Sequence, residues 1–345
     1  MVIGSEKRYH HLDVYKGVCM LLIIFTHFRW ETSERLKYLF PFWVDMAVPV
    51  LMVIMGFLYA MSFQKKDCSL EISYGLRELI IKWLRFVVPF VPVLLIELCA
   101  KVFVLHEKLT GALILKAFAV GGYGPGSYYF PIMLQVVVLL PIIITSVKKF
   151  RFKGLLLWLV INVLFEFLKT LTGISGGLYR LLSFRYLFVL SYGVYLYYSF
   201  NETNRTLQKD VANSKRKRLF TGGTIGLVYI TTFNYLGLKP VITAMWTTSS
   251  VLAVLWIVPI TYWLFKKVDV KNQLFEFFGQ ASFDIFLVQM LYYWSLARYV
   301  YRFINNSCFQ MMFGFLFCLL FGVLYYKVEY PIQRKVISRI KRFNY

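Results

Sequence analysis

The chain has 345 residues, of which 59% are hydrophobic and 16% charged, with a formal net charge of +22. A soluble domain carries about 25% charged residues, so this composition excludes one. The basic residues fall in short segments between apolar runs, which excludes a nucleic-acid binder with its cations gathered on a soluble face.

Apolar runs of roughly the length needed to cross a hydrocarbon core fall at 13–30, 39–63, 83–104, 127–147, 154–169, 181–200, 219–238, 247–265, 277–297 and 309–328. They predict an all-α, polytopic membrane protein of about ten transmembrane helices, forming a single membrane-embedded domain over residues 1–345. Lys7 and Arg8 precede the first run as they would in a signal peptide. Asp13 and Lys16 interrupt its start and no small-residue cleavage site follows, so a retained helix is expected. The segment 111–121 is too short to span and is expected in the interface or a loop. The five cysteines, Cys19, Cys68, Cys99, Cys308 and Cys318, are scattered, and no Cys/His cluster points to a metal.

The sorting of basic residues predicts orientation. One side of the ladder takes Lys7 and Arg8, the cations between Lys65 and Arg85, those of Lys148–Lys153, those of Arg205–Arg218, Lys266, Lys267 and Lys271, and the tail from Arg334 to Arg342. It holds 25 of the 39 Lys and Arg residues, and the opposite side holds 11. Both termini are therefore expected in the cytoplasm, which requires an even number of helices.

Polar groups within a span are costly and are functional candidates by default. In the first run, Lys16 and His27 are eleven residues apart. At 100° per residue that is within about 20° of three full turns, so they share one face, separated by about 16 Å along the axis. Asp13, three residues before Lys16, can pair with it. His27 is the one histidine inside a predicted span, since His10, His11 and His106 fall in loops. The bland account has Lys16 snorkelling to lipid phosphates and His27 bonding a neighbouring helix. Asp45, Glu97, Gln135, Glu166, Arg185, Asp284 and Gln289 are the other intramembrane polar groups. Glu97, Glu166 and Arg185 fall near the depth of His27. They could bind a hydroxylated acceptor, or Arg185 could pair with either glutamate as structural glue.

Several motifs in chain order resemble the acyltransferase 3 family, integral membrane O-acyltransferases of cell-surface carbohydrates. The first helix has Leu12-Asp13, Lys16-Gly17 and, after ten intervening residues, His27, with Lys16 where the family more often has Arg. Pro49 with Gly56-Phe57-Leu58 follows, then Lys82-Trp83-Leu84-Arg85 in place of an R-x-x-R segment, with Pro89 beyond. Ser127-Tyr128-Tyr129-Phe130-Pro131 leads to Gln135 and Pro141. Phe278-Gly279-Gln280-Ala281-Ser282-Phe283 leads to Leu287-Val288-Gln289, where Gln289 replaces the family's second histidine. The last is Tyr326-Lys327-Val328-Glu329-Tyr330-Pro331.

The resemblance implies a bacterial cytoplasmic-membrane enzyme with a cytoplasmic acyl-CoA donor, most often acetyl-CoA, and no resident cofactor. The acceptor would be a hydroxyl of a surface polysaccharide or lipid-linked glycan. Lys16, Lys82 and Arg85 would face the CoA phosphates, or Lys82 and Arg85 would serve as inside-positive anchors. His27 would act as general base or as a covalent acyl relay, with Asp13 orienting Lys16. The competing class is a carrier that moves a glycan or small solute without chemistry. Against it, the chain has no visible inverted repeat and no paired Gly/Pro-interrupted helices.

Overall fold

With no water in the hydrocarbon core, backbone N–H and C=O groups must be paired within the segment, and the helix is the way a single apolar run achieves this. The computed structural model describes residues 9–65, 69–202, 209–238, 250–267 and 270–342, and among them there is no strand. The helices are α1 His10–Thr26, α2 Thr32–Lys37, α3 Ala47–Lys65, α4 Leu70–Tyr74, α5 Leu76–Phe103 and α6 Gly111–Val120. They continue with α7 Tyr129–Phe150, α8 Phe152–Thr172, α9 Gly176–Leu181, α10 Leu187–Glu202 and α11 Lys209–Asn234. The last are α12 Val251–Val254, α13 Ile257–Lys267, α14 Gln273–Gln280, α15 Ser282–Leu291, α16 Ala297–Phe303 and α17 Ser307–Arg342.

Each of the ten predicted runs coincides with helix. Five are long and apolar enough to cross a membrane: Phe40–Lys65, which includes α3, and then α5, α7, α8 and α17. A sixth arises if α14 and Ser282–Phe303, bent by 66° at Ala281, count as one span. The remaining four runs depart from the expected form. α1 has 17 residues and α10 has 16. α11 begins in the basic stretch from Lys209 to Arg218, and the run at 247–265 is divided into α12 and α13. Residues 247–249 of that run lie outside the described residues, as do Lys7, Arg8, Lys66, Cys68, Arg205 and Lys239. Segment 111–121 forms α6, whose ten residues rise only about 15 Å, half a bilayer core.

Two close helix crossings depend on glycine, the residue that lets backbones touch. A side chain at Gly17 would run into the Phe275 carbonyl, and one at Gly279 into the Asp13 carbonyl, so α1 and α14 meet backbone to backbone. Gly56 and Gly193 serve α3 and α10 in the same way, against the carbonyls of Leu190 and Val53. Two apolar cores result. One joins α3, α7, α8, α10 and α13 through residues such as Val53, Val136, Leu190 and Val258. The other joins α1, α5, α15 and α17 through Met20, Ile24, Phe90, Ile285 and Cys318. The cavity beside His27 lies at the seam between these cores, walled by Ile54 of the first and by Met20, Ile23 and Leu51 of the second.

Candidate active site

His27 ends α1 rather than lying inside a longer helix. The predicted run reached residue 30, but the helix stops at Thr26 and His27 forms its C-cap, its own N–H bonded to the Ile24 carbonyl at 3.2 Å. The last carbonyls of a helix lack intrahelical partners, and here side chains from other parts of the chain supply them. The Tyr293 hydroxyl donates to Ile24 O at 3.2 Å, the Trp30 indole to Phe25 O at 2.7 Å, and Arg35 to Thr26 O at 3.3 Å. Tyr293 lies in Tyr292–Leu296, where the helix after α15 widens into a π turn, and its ring centroid is 6.3 Å from that of His27. Arg35 also donates to Thr26 Oγ1 at 3.2 Å and forms an ion pair with Asp45, which accepts from Thr26 Oγ1 at 3.3 Å. The imidazole is thus set by the helix end, not by one neighbour.

Gly126 completes its surroundings. At φ +87° it adopts a conformation that favours glycine. A β-carbon there would lie 3.5 Å from His27 Nε2 and 2.9 Å from the Phe286 ring. The loop carrying Gly126 is held from below by Glu97, whose Oε2 accepts from Tyr123 N at 3.0 Å.

His27 opens on two cavities. The first, about 230 Å³, runs along α1 from Lys16 past Met20 and Ile23 to His27. Its walls are largely apolar and aromatic, including Leu51, Ile54, Phe86, Tyr129 and Phe286. Lys16 and His27 therefore do share one face and one cavity. The second cavity shares Ile23, Val48 and Tyr128 with the first and is further lined by Thr26, Arg35, Asp45, Arg185 and Tyr186.

At its far end the first cavity meets two polar ones. Lys16 also lines a space shared with Asp13, Arg85, Asp284 and Glu329. Its Nζ pairs with Asp13 at 2.6 Å, the i,i+3 pair expected. Arg85 lines the adjoining space as well, with Lys82 and Lys341, and Leu58 and Tyr59 connect that space to the apolar cavity. Cavities that share lining residues therefore extend from Lys82, Arg85, Lys341 and Glu78, past Lys16, to His27, and on to Arg35 and Arg185.

The acceptor candidates separate. Arg185 reaches the second cavity, its guanidinium 4.7 Å from the Tyr128 ring centroid and 4.6 Å from that of Tyr186. The turn that carries it, Ser183–Tyr186, is clamped by Gln135, which donates to Leu181 O at 2.6 Å and accepts from Ser183 N at 3.0 Å. Glu166 and Glu97 line none of these four cavities. Glu166 accepts from Val251 N at 2.7 Å and Ser250 Oγ at 2.9 Å, binding the start of α12 to α8. Gln289, at the place of the family's second histidine, is fully buried and also lines none of them.

Several site members were not singled out in the sequence: Gly126, Tyr293, Arg35 and Lys341. For Gly126 a signal existed, because Gly121, Gly122, Gly124 and Gly126 crowd the short stretch before α7. Among the described residues no group of three or more His, Cys, Asp and Glu could hold a metal ion.

An all-helical, multi-pass membrane protein with a histidine between an apolar and a polar cavity is the class these features define. Residues 9–327 match the acyltransferase 3 family, described as an acyltransferase domain, and the chain belongs to that family. No curated protein and no solved structure matches it.

Proposed function

We propose that this membrane acyltransferase is an O-acyltransferase that takes an acyl group, most simply acetyl, from cytoplasmic acyl-CoA and passes it to a hydroxyl of a surface polysaccharide or lipid-linked glycan. In this reading ten helices cross the bacterial cytoplasmic membrane, both termini are cytoplasmic, and the whole chain acts as one domain. The observation that carries it is the series of cavities with shared walls, in which Lys16, Lys82, Arg85 and Lys341 stand among Asp13, Glu78, Asp284 and Glu329 at one end and His27 lines the two at the other.

The CoA phosphates would be held by Lys16, Lys82 and Arg85, with Lys341 beside them, as charge-assisted partners. The apolar cavity suits the neutral arm of the thioester, and its length of about 16 Å along α1 brings the acyl carbon to His27. The acceptor enters the second cavity, where Arg185, Arg35 and Asp45 orient it. His27 takes the proton of the attacking hydroxyl as the new C–O bond forms. The C–S bond then breaks, and the imidazolium returns that proton to the CoA sulfur. Asp13 keeps Lys16 in place through their ion pair.

The test is acceptor-dependent release of free CoA by the purified protein, paired with mass spectrometry of the surface glycan from wild-type and deletion strains. His27→Ala is expected to abolish both CoA release and the glycan ester while the protein still inserts. Normal acylation in that variant would overturn the mechanism. A trapped acyl-imidazole on His27 would replace the general-base route with a covalent relay. An intact ester in the deletion strain, with altered glycan export, would favour a carrier.

A further inference from the structure

A fifth cavity, between α8, α10, α11 and α13, shares no lining residue with the four described above. It is a cleft of about 800 Å³ and is larger than any of them. Most of its wall is aliphatic or aromatic, with Leu155, Leu159, Ile225, Leu255 and Val258 toward its inner end. Its other end carries Lys217 and Arg218, and no acidic side chain lines it. The Arg218 guanidinium lies 4.8 Å from the ring centroid of Phe152, at the start of α8, which puts the charged end of the cleft at the N-terminal end of that apolar helix. From Arg218 to Ile225 the wall of α11 descends about 10 Å.

The glycines of α11 differ in what they face. A side chain at Gly223 would strike Pro259, and one at Gly226 would strike the backbone of Trp256, so both are small because helices touch there. At Gly222 an added β-carbon would meet only Leu255, at 4.0 Å. That glycine faces the cleft and leaves it open.

We propose that the cleft holds an anionic phospholipid, its phosphate on Lys217 and Arg218 and its acyl chain along Leu155, Leu159 and Ile225. Cations at the interface end favour an anionic headgroup, and the apolar length behind them excludes a free phosphate as the natural occupant. The site is independent of the acyl-transfer reading, since none of its residues touches the His27 cavities.

The experiment is native mass spectrometry of the purified full chain titrated with phosphatidylglycerol or with phosphatidylcholine of identical chains. The wild type is expected to retain phosphatidylglycerol selectively. The double variant Lys217→Ala/Arg218→Ala should weaken that lipid by roughly 30-fold and leave phosphatidylcholine unchanged. Gly222→Leu, which fills the cleft without meeting backbone, should weaken both lipids while thioester turnover is kept, showing that the fold is intact. Equal retention of the two lipids by the wild type would overturn the proposal, as would unchanged phosphatidylglycerol binding in both variants. So would displacement of the lipid by millimolar inorganic phosphate, which would make this a phosphate site. Dimers that Gly222→Leu splits without a change in lipid binding would assign the face to a second copy and overturn it too.

Discussion

At the Lys16 end of the central cavity, long charged side chains from α1, α5, α15 and α17 surround open polar space, and Arg85 reaches two compartments at once. At the His27 end the contacts are made largely by backbone: three capped carbonyls, a glycine against the imidazole, and one ion pair at the helix terminus. In the proposed reaction the Lys16 end meets a mobile, highly charged ligand that flexible side chains can follow, whereas the reacting group at the His27 end must be held within a fraction of an ångström. The two ends therefore differ in tolerance. The Lys16 end should yield gradually to substitution and the His27 end abruptly.

The largest expected effect is that of His27→Ala, which removes the proposed general base and should abolish acceptor-dependent CoA release, a fall of about 10²–10⁴-fold in kcat. Gly126→Ala comes next. A β-carbon at positive φ, pressed on Phe286 and facing His27 Nε2, should cost about 10²-fold in kcat with little change in the KM for acyl-CoA. Lys16→Ala should raise that KM about tenfold and spare kcat, since the proposed charge-assisted phosphate contact is lost, and Lys16→Arg should restore it. If Lys16→Ala instead lowered kcat more than Gly126→Ala does, the division between the ends would be broken. Glu166→Gln should leave turnover per folded molecule unchanged. It should lower stability by about 1–3 kcal/mol, read as a fall in thermal midpoint, because its carboxylate joins α8 to the start of α12.

Much of this arrangement was legible in the sequence. The eleven-residue spacing of Lys16 and His27 follows from helical geometry alone, and so does the Asp13–Lys16 pair. The runs that became the five long apolar helices were readable because apolar length is a local property. What escaped is what depends on partners distant in sequence. Nothing near Thr26 announces that Tyr293 will cap Ile24, since the two residues are 269 positions apart. Glu97 and Glu166 looked like equal candidates with Arg185, because depth in the membrane was the common measure. Depth does not say which way a side chain faces, and here the two carboxylates bind a loop and a helix start while Arg185 faces a cavity. The shortness of α1 was hidden as well, because Phe28 and Trp30 read as a continuation of the apolar run although the chain has already left the helix.

The π turn at Tyr292–Leu296 gives the site an address that is counted in residues. A wide turn carries one residue more than an α-helix needs, so the side chains beyond it are displaced by about 100° around the axis. Remove Tyr292 and the helix can close into regular α geometry, with Tyr293 and α16 turned relative to α15 and Tyr293 no longer aimed at Ile24. The helix end that carries His27 thus takes one of its caps from a one-residue insertion more than 260 positions further along the chain, and closing that turn removes the cap.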